Sequence, residues 1–171
     1  MLWTLRLFWY RLDKLALACA LYFVLVVGVL AGAVGLVFIE RDAQAAALKA
    51  FHARSVECLA RNVYYEARGE TAHGQYAVAE VTMNRKRSPL YPKTVCEVVY
   101  QRSAFSWTDE ELDPPVGEEW LRAQKIAAEV YYQRRPAALP AALFYHATYV
   151  SPDWAKQRVR VARIGRHIFY R

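Results

Sequence analysis

Two glutamates four positions apart, Glu66 and Glu70, have the residue type and spacing that could carry out acid–base chemistry. The apolar residues around Glu66 repeat with helical spacing, and Glu66 falls at the edge of this apolar stripe. A carboxyl group held against apolar and aromatic neighbours, here Tyr64 and Tyr65, has a raised pKa and can donate a proton near neutral pH. The pattern predicts that Glu66 is a general acid. The alternative is an ordinary ion pair at the rim of a helix, with a partner among Arg61, Arg68 and Arg85.

Two helices joined by a tight turn are needed to position these carboxyl groups. The first is predicted from about Val56 to Arg68, with Ser55 as its N-cap and Gly69 as a left-handed C-cap. The second is predicted from about Gly74 to Arg87, because Pro89 cannot continue it. Because a break at Gly69 turns the chain, the sequence does not establish that Glu70 lies on the same helix face as Glu66.

The rest of the chain is predicted to contain two more helices and a small sheet. Residues 91–101 read as a turn and a short helix, residues 103–115 as a polar loop, and residues 117–134 as a third long helix. Residues 143–150 and 159–170 are rich in Phe, Tyr, Val and Ile and are predicted to be strands. The expected fold class is α+β, with a groove between a helical lobe and an antiparallel sheet.

Several short motifs follow one another in order along this region. They are Glu66-Ala-Arg-Gly-Glu70, Gly74-Gln75, Ala77-Val-Ala79, Asn84-Arg85, Pro92-Lys-Thr-Val95, Phe105-Ser106, Phe144-Tyr-His-Ala147, Trp154 and Ile164-Gly-Arg-His167. In this order the sequence resembles the cell-wall hydrolase family typified by the spore-cortex-lytic enzyme SleB, from about Ser55 to the C-terminus. The resemblance implies a mainly helical lobe like those of lysozymes and transglycosylases, with the small sheet packed beside it.

The resemblance also implies an activity, which is cleavage of the glycosidic bond between N-acetylmuramic acid and N-acetylglucosamine in peptidoglycan. In the lytic transglycosylase scheme, Glu66 protonates the leaving oxygen and then removes a proton from the C6 hydroxyl of the same muramic acid. This scheme yields a 1,6-anhydro product and uses no metal or other cofactor. Glu70 and Asn84 are expected to orient the site, and the residues expected to contact substrate are Arg68, Gln75, Asn84, Phe105, Ser106, Tyr145, His146 and Trp154.

Two other functions stay open at this point. A hydrolytic muramidase would use Glu66 and Glu70 as acid and partner, since hydrolysis usually needs two carboxylates. Members of the family have also been labelled amidases, but the sequence lacks a nucleophile motif, and its four histidines, His52, His73, His146 and His167, show no zinc-binding spacing. A membrane-anchored wall-binding module without activity is the non-enzymatic alternative. Such a module has no need for a carboxylate in an apolar setting.

The N-terminal region predicts a membrane anchor. Residues 15–39 carry no charge and are numerous enough, at 1.5 Å per residue, to cross a hydrocarbon core about 30 Å thick. The basic residues Arg6, Arg11 and Lys14 precede the span, so residues 1–14 are expected in the cytoplasm. Residues 40–54 would form a linker or stalk, and residues 55–171 a catalytic domain outside the inner membrane, in the periplasm or extracytoplasmic space. The alternative is a cleavable signal peptide with small residues at 42–47.

The net charge bears on the choice of partners. The formal charge is +7, of which the residues before the span carry +2, leaving +5 on the remainder. A basic domain outside the membrane suits an anionic polymer such as the cell wall, and nucleic acid is not an expected partner. Gly28 and Gly32 match a small-xxx-small helix-pairing pattern only weakly, so the oligomeric state stays open.

Three cysteines are present, and Cys19 lies within the predicted span. Cys58 and Cys96 are then the two cysteines of the predicted extracytoplasmic domain, where a disulfide is the default expectation. Two free buried cysteines are the alternative. A metal site is not expected, because two thiolates provide too few ligands.

Overall fold

The structure is a computed structural model that describes the backbone of residues 2–171 and the side chains of residues 14–171. It divides into two compact units, residues 1–49 and residues 50–171. The elements of the second unit carry every residue with a predicted catalytic role. Of the predicted cytoplasmic segment 1–14, residues 1–13 lie outside the range in which side chains are described.

Helix α1 is continuous over Leu2–Ala67. Near its N-terminal end it contains a stretch that is long and apolar enough to cross a membrane, by length and composition alone. The side chains of this stretch are exposed, as they would be if lipid surrounded them. A signal sequence near the N-terminus meets the same criteria of length and composition, so these criteria do not distinguish an anchor from a cleaved leader.

The predicted start of the catalytic helix at Val56 is wrong. Ser55 is not an N-cap, because α1 already runs through it and the Ser55 hydroxyl donates to the Phe51 carbonyl one turn earlier, at 2.9 Å. Serine in this position satisfies its hydroxyl within the helix instead of ending it. The Ala-rich segment between residues 40 and 51 therefore continues as helix.

The end of α1 also differs from the prediction. The helix stops at Ala67, but Gly69 does not adopt the left-handed conformation, which among the described glycines occurs only at Gly117 and Gly165. The turn is held instead by Gln75, whose side-chain amide donates to the carbonyls of Ala67 and Arg68 at 3.1 and 3.4 Å. A side chain from the next helix thus satisfies carbonyls that have no partner within α1.

Helices α2 and α3 follow the predicted order. Helix α2 spans Ala72–Arg87 with Thr71 as its N-cap, two residues before the predicted start, and ends ahead of Pro89 as predicted. Helix α3 spans Val95–Val99 and begins with a reciprocal capping box between Thr94 and Glu97. Both caps satisfy backbone amides at the start of the helix.

Helix α4 spans Gly117–Tyr131, with its apolar residues on the face that packs against α2. It is three residues shorter than predicted. The polar loop before it contains a 3₁₀ turn at Ser106–Asp109, and a second 3₁₀ turn occurs at Asp153–Gln157.

The C-terminal sheet is antiparallel and has three strands in the order β1-β3-β2. Strand β1 spans Phe144–Ala147, β2 spans Arg160–Ile164 and β3 spans His167–Tyr170. The single predicted strand at 159–170 is thus a hairpin, because Gly165 with φ of 55° turns the chain between β2 and β3. Register places Tyr145 opposite Phe169. The fold class is confirmed as mainly helical with a small antiparallel sheet.

The larger apolar core of the second unit lies where α1, α2, α3 and α4 meet. Within it Asn62 links two elements: its amide donates to Thr82 on α2 at 3.0 Å, and its side-chain oxygen accepts from the indole of Trp107 at 3.0 Å. The predicted disulfide between Cys58 and Cys96 is present. It joins α1 to α3 two turns before Glu66, so it anchors the C-terminal half of this helix.

Candidate active site

Glu66 lies in the last turn of α1 and faces the sheet. The hydroxyl of Tyr145, in strand β1, donates to Oε2 of Glu66 at 2.7 Å. Tyr145 is held in turn by Phe169 and by the edge of the His167 ring, with ring centroids 5.6 and 5.2 Å away. The carboxyl group is therefore fixed by a partner that is itself packed against the sheet.

Burial raises the pKa of Glu66 above its ordinary value of 4.5, while the hydrogen bond from Tyr145 and the positive charge of Arg85 act in the opposite direction. Burial outweighs both of these effects. The pKa of Tyr145 is raised well above 10.0 by burial and by the adjacent Glu66, so its hydroxyl stays protonated and keeps donating. This pair provides a carboxyl group that can hold a proton closer to neutral pH than an exposed glutamate.

The ion pair that was the alternative explanation for Glu66 is not formed. In the described part of the chain, the Arg61 guanidinium pairs with Glu57 at 2.9 Å, and Arg68 donates to the Tyr64 hydroxyl at 3.4 Å. Arg85 donates from Nε to the Leu143 carbonyl at 2.8 Å and affects Glu66 only through its charge. Glu66 is thus a carboxyl group with a tyrosine as its partner, which is an arrangement suited to proton transfer.

A groove of about 460 Å³ adjoins this pair. It is open to solvent, and both Tyr145 and Arg85 line it, so the groove leads to the two residues that act on Glu66. The other arginine and aromatic side chains in its lining are Tyr91, Arg102, Phe144, Trp154 and Arg158. Aromatic faces can stack on the apolar faces of sugar rings, and the arginines give the groove a positive charge.

Glu70 has a different environment. Its carboxylate accepts from Nε of Arg166 at 2.8 Å and from the backbone N–H of Arg166 at 3.2 Å. Burial acts to raise the pKa of Glu70, but the two hydrogen bonds from Arg166 and the charges of His167 and Arg166 outweigh it, so the pKa lies below 4.5. Glu70 is therefore ionised and ties the α1–α2 turn to the β2–β3 turn.

The tight β2–β3 turn makes this contact possible. A Cβ atom on Gly165 would lie 1.9 Å from Oε2 of Glu70, so only glycine leaves room for the carboxylate. The next residue but one, His167, is buried, and its Nδ1 lies 3.8 Å from Oε1 of Glu70 without a hydrogen bond. Burial lowers the pKa of His167, so the ring is mainly neutral at neutral pH.

Comparisons with known proteins settle the family. The sequence profile described as Cell Wall Hydrolase matches residues 69–170. The chain belongs to the Cell Wall Hydrolase family. It is 35% identical to the spore cortex-lytic enzyme of Bacillus subtilis over 135 residues, which cover 76% of this chain and 42% of that protein. It is 34% identical to the spore cortex-lytic enzyme of Oceanobacillus iheyensis, over 67% of this chain and 40% of that one.

Two solved structures have the same fold as this cell wall hydrolase. One is the catalytic domain of SleB from Bacillus cereus, with a TM-score of 0.59 and 30% identity, covering 68% of this chain and 89% of that one. The other is the catalytic domain of the germination-specific lytic transglycosylase SleB from Bacillus anthracis, with the same score and identity, covering 93% of that chain. The chain spans less than half the length of the curated relatives but nearly all of these catalytic domains.

Among the predicted substrate contacts of this cell wall hydrolase, Tyr145 and Trp154 line the groove. His146 lies in the same strand as Tyr145 but is not among the residues that line the groove. Its Nε2 is 2.9 Å from the hydroxyl of Tyr170, on which its ring also stacks, and the edge of the ring meets Trp154. His146 therefore packs against Trp154, which lines the groove.

Three other predicted contacts are buried, which does not support direct contact with substrate. Gln75 is 1% exposed and holds the end of α1. Asn84 donates to the carbonyls of Leu139 and Ala142 at 2.6 and 3.0 Å, so it fixes the loop that leads to β1. Phe105 is buried beneath Arg85, whose guanidinium carbon lies 5.1 Å from the ring centroid. These motif residues shape the site from inside the protein.

Arg68 and Ser106 are exposed but lie outside the lining of the groove. Arg68 packs over the Tyr64 ring, and Ser106 begins the 3₁₀ turn after Phe105. Sequence reasoning missed three arginines as site residues: Arg102 and Arg158 in the groove, and Arg166 as the partner of Glu70. Only Arg166 had a usable signal, because it lies inside the Ile164-Gly-Arg-His167 motif.

Proposed function

We propose that this chain is a peptidoglycan lytic transglycosylase that cleaves the bond between N-acetylmuramic acid and N-acetylglucosamine. The observation that carries the proposal is the Glu66 carboxyl group, which has a raised pKa and accepts a hydrogen bond from Tyr145, a residue that lines an aromatic groove. The names of the related catalytic domains, one of them a lytic transglycosylase, support the same reaction. Glu66 itself lies just before the matched profile, so its role rests on the geometry.

The proposed reaction uses Glu66 twice. In its protonated form Glu66 donates to the glycosidic oxygen as the bond to the anomeric carbon of muramic acid breaks. The resulting carboxylate then accepts the proton of the C6 hydroxyl of that sugar, whose oxygen bonds to the anomeric carbon and closes the 1,6-anhydro ring. Tyr145 keeps the carboxyl group oriented through both steps. An internal hydroxyl replaces water, so no second carboxylate is needed to activate a water molecule.

The environment of Glu70 supports this scheme over two-carboxylate hydrolysis. Glu70 is engaged by Arg166 through its side chain and its backbone and has a lowered pKa, so it is poorly placed to exchange a proton. We assign Glu70 a positioning role in joining the two turns, and not a proton-transfer role. Analysis of the products distinguishes this scheme from the hydrolytic muramidase alternative.

Product analysis in heavy-oxygen water tests the reaction. Purified sacculi are digested in water enriched in ¹⁸O, and the products are examined by mass spectrometry. We expect 1,6-anhydromuropeptides without label at the muramic acid. Label at a new reducing end would mean hydrolysis, and absence of any cleavage would favour the wall-binding module. A parallel digestion with EDTA is expected to proceed at the same rate, because the proposed chemistry uses only Glu66.

We also propose that the apolar stretch of α1 anchors the protein in the inner membrane, with residues 1–14 in the cytoplasm and the catalytic domain in the periplasm or extracytoplasmic space. The uncharged run and its basic N-terminal flank support this orientation. The Cys58–Cys96 disulfide is consistent with an oxidising compartment. A reporter fused after Arg171 should be active only outside the cytoplasm, and N-terminal sequencing of the mature protein should find residue 1 or 2 and not a cleaved end after the span.

A further inference from the structure

The groove that Tyr145 and Arg85 line is basic. Arg85, Arg102 and Arg158 all line it, and within the described part of the chain its lining contains no Asp or Glu. The glycan backbone of peptidoglycan is built from N-acetylated sugars that carry no charge of their own. Three arginines are therefore more than a neutral sugar chain requires, and they indicate that the ligand brings negative charge into the groove.

Arg102 is presented by a tight turn. The Ala104 amide donates to the Gln101 carbonyl at 2.9 Å, and Ser103 adopts φ of 59°, in the left-handed region that serine rarely occupies. Such a conformation persists only where the surroundings hold it. The Arg102 side chain in this turn is exposed and lines the groove, and it has no hydrogen bond or ion pair among the described residues. Its guanidinium donors are therefore available to a ligand.

Arg158 follows the 3₁₀ turn at Asp153–Gln157 and lines the groove on the side of the sheet. Its guanidinium carbon lies 3.4 Å from the centroid of the Phe144 ring, a distance at which the two planar groups stack. Stacking occupies the face of the guanidinium and leaves its N–H donors, which lie in its plane, free to bind an anion. Arg85 differs from both, because its Nε already donates to the Leu143 carbonyl and its charge acts on Glu66.

We propose that Arg102 and Arg158 bind carboxylates of the peptide stems attached to muramic acid, so that the enzyme selects glycan strands that still carry their stems. This inference rests on the proposed function. The muramic acid lactyl group carries the stem, and the stem carboxylates are anions placed beside the sugar whose bond breaks. The planar fork of arginine matches a carboxylate in two parallel hydrogen bonds, which a neutral glycan cannot provide.

The test compares three substrates prepared from one batch of sacculi from which phosphate-bearing wall polymers have been removed. The first keeps its stems, the second has its stem carboxylates converted to amides, and the third has its stems removed by an amidase and the lactyl carboxylates that this exposes converted to amides. The protein, purified as the full chain in detergent, is assayed for kcat/KM on each. We expect kcat/KM to be about 100-fold lower on the amidated and stem-free substrates, because both arginines then lose their carboxylate and each contact contributes about tenfold.

The variants separate charge recognition from a general effect on the fold. Arg102→Ala and Arg158→Gln should each lower kcat/KM about tenfold on the stem-bearing substrate and change it little on the amidated one. Arg102→Lys, which keeps the charge but loses the fork, should fall between Arg102→Ala and the wild type. Arg122→Ala is the matched control, because Arg122 is an exposed arginine of α4 outside the groove lining and should change neither value. Thermal unfolding of each variant verifies that it is folded.

Three results would overturn the inference. Equal kcat/KM of the wild type on all three substrates would exclude recognition of the stem, although cleavage itself would still support the proposed function. If Arg102→Ala lowered kcat/KM by the same factor on all three substrates, Arg102 would not bind a stem carboxylate. Faster cleavage only of sacculi that keep their phosphate polymers, assayed as a fourth substrate, would assign the arginines to phosphate. Failure to cleave any of the four would instead refute the proposed function.

Discussion

Glu66 and Glu70 are four residues apart in sequence, and burial acts to raise the pKa of both, yet the two pKa values move in opposite directions. Glu66 has a neutral partner, the hydroxyl of Tyr145, and one charge acting at a distance. Glu70 has a charged partner in contact, the Arg166 guanidinium, together with a backbone amide. The contacts with Arg166 outweigh the effect of burial on the pKa of Glu70, whereas the Tyr145 hydroxyl and the charge of Arg85 do not outweigh it at Glu66.

The comparison shows how one short segment provides both chemistry and architecture. The hydroxyl beside Glu66 can orient either protonation state of the carboxyl group, because a hydroxyl both donates and accepts hydrogen bonds. The guanidinium beside Glu70 only donates, so it stabilises the ionised form alone. An acid that must release and regain a proton needs the first environment, and a permanent link between two turns needs the second.

The largest effect is expected for substitution of the acid. Glu66→Gln should lower kcat on peptidoglycan at least 100-fold, because general-acid contributions are typically 10² or more. The variant should remain folded, with an unfolding free energy at neutral pH no lower than that of the wild type. The sign follows from the raised pKa: ionised Glu66 is disfavoured in the folded state, and glutamine removes that cost. Muropeptide release measures the first effect and chemical denaturation the second.

Glu57→Gln is the matched control for this experiment, since Glu57 lies on the same helix in an exposed pair with Arg61. It should leave kcat unchanged. If Glu66→Gln kept more than about a tenth of wild-type activity, the assignment of Glu66 as the acid would be untenable. If Glu70→Gln were the inactive variant instead, the two roles would have to be exchanged.

The second prediction concerns the turn that receives Glu70. Gly165→Ala should destabilise the protein by more than about 1 to 2 kcal/mol, because the left-handed conformation alone costs that much and the added Cβ would also displace the Glu70 carboxylate. Gly117→Ala is the control. Gly117 also has a left-handed φ, of 76°, but an added Cβ there would meet nothing within 4 Å, so this variant carries the backbone cost alone. Equal unfolding midpoints for the two variants would contradict the close approach at Gly165.

The sequence predicts the elements of this fold better than it predicts their contacts. Hydrophobic periodicity and Pro89 place α2 and its end, and the composition of the C-terminal residues indicates the sheet. The errors at Ser55 and Gly69 have different causes: the Ser55 hydroxyl bonds to the Phe51 carbonyl within a helix that continues, and the turn at Gly69 depends on a partner from the next helix. At the end of α1 that partner is Gln75, which no local pattern identifies.

The candidate site shows the same division. A raised pKa at Glu66 follows from its apolar stripe, but the sequence suggested Tyr64 and Tyr65 as the aromatic neighbours. The hydroxyl that contacts Glu66 belongs to Tyr145, 79 residues away. The pairing of Glu70 with Arg166 spans 96 residues and likewise depends on how the sheet packs against the helices. The long-range partner of Glu70 reverses its pKa shift, and that of Glu66 reduces a shift caused by burial, so the chemistry of each glutamate could not be read from its own segment.

The third prediction tests the charged partner of Glu70. Glu70→Gln should lower the unfolding free energy at neutral pH, whereas its kcat should stay much closer to that of the wild type than the kcat of Glu66→Gln. Because the folded-state pKa of Glu70 is lowered, its contribution to stability is present above the ordinary pKa of 4.5 and is lost as the pH falls through the folded-state value. The difference in stability between wild type and variant should therefore shrink at acidic pH.

Denaturation curves at several pH values measure this difference. Glu57→Gln is again the control, because the Glu57–Arg61 pair is exposed on both sides and should contribute little at any pH. A Glu70→Gln variant as stable as the wild type at neutral pH would remove the structural role proposed for this residue. A stability difference that grew at acidic pH would contradict the lowered pKa.

The smallest expected effect is a shift in the pH dependence of kcat/KM when the Tyr145 hydroxyl, the neutral partner of Glu66, is removed. Activity requires protonated Glu66, so kcat/KM should fall as the pH rises through its pKa. The Tyr145 hydrogen bond lowers that pKa, and Tyr145→Phe removes it while keeping the ring, so the alkaline limb should move to higher pH. Tyr91→Phe, which removes a hydroxyl from the groove lining without contact to Glu66, should leave the limb in place. A shift of the Tyr145→Phe limb to lower pH would mean that the hydroxyl stabilises the protonated acid instead of its carboxylate, and the balance of effects on Glu66 would then have to be revised.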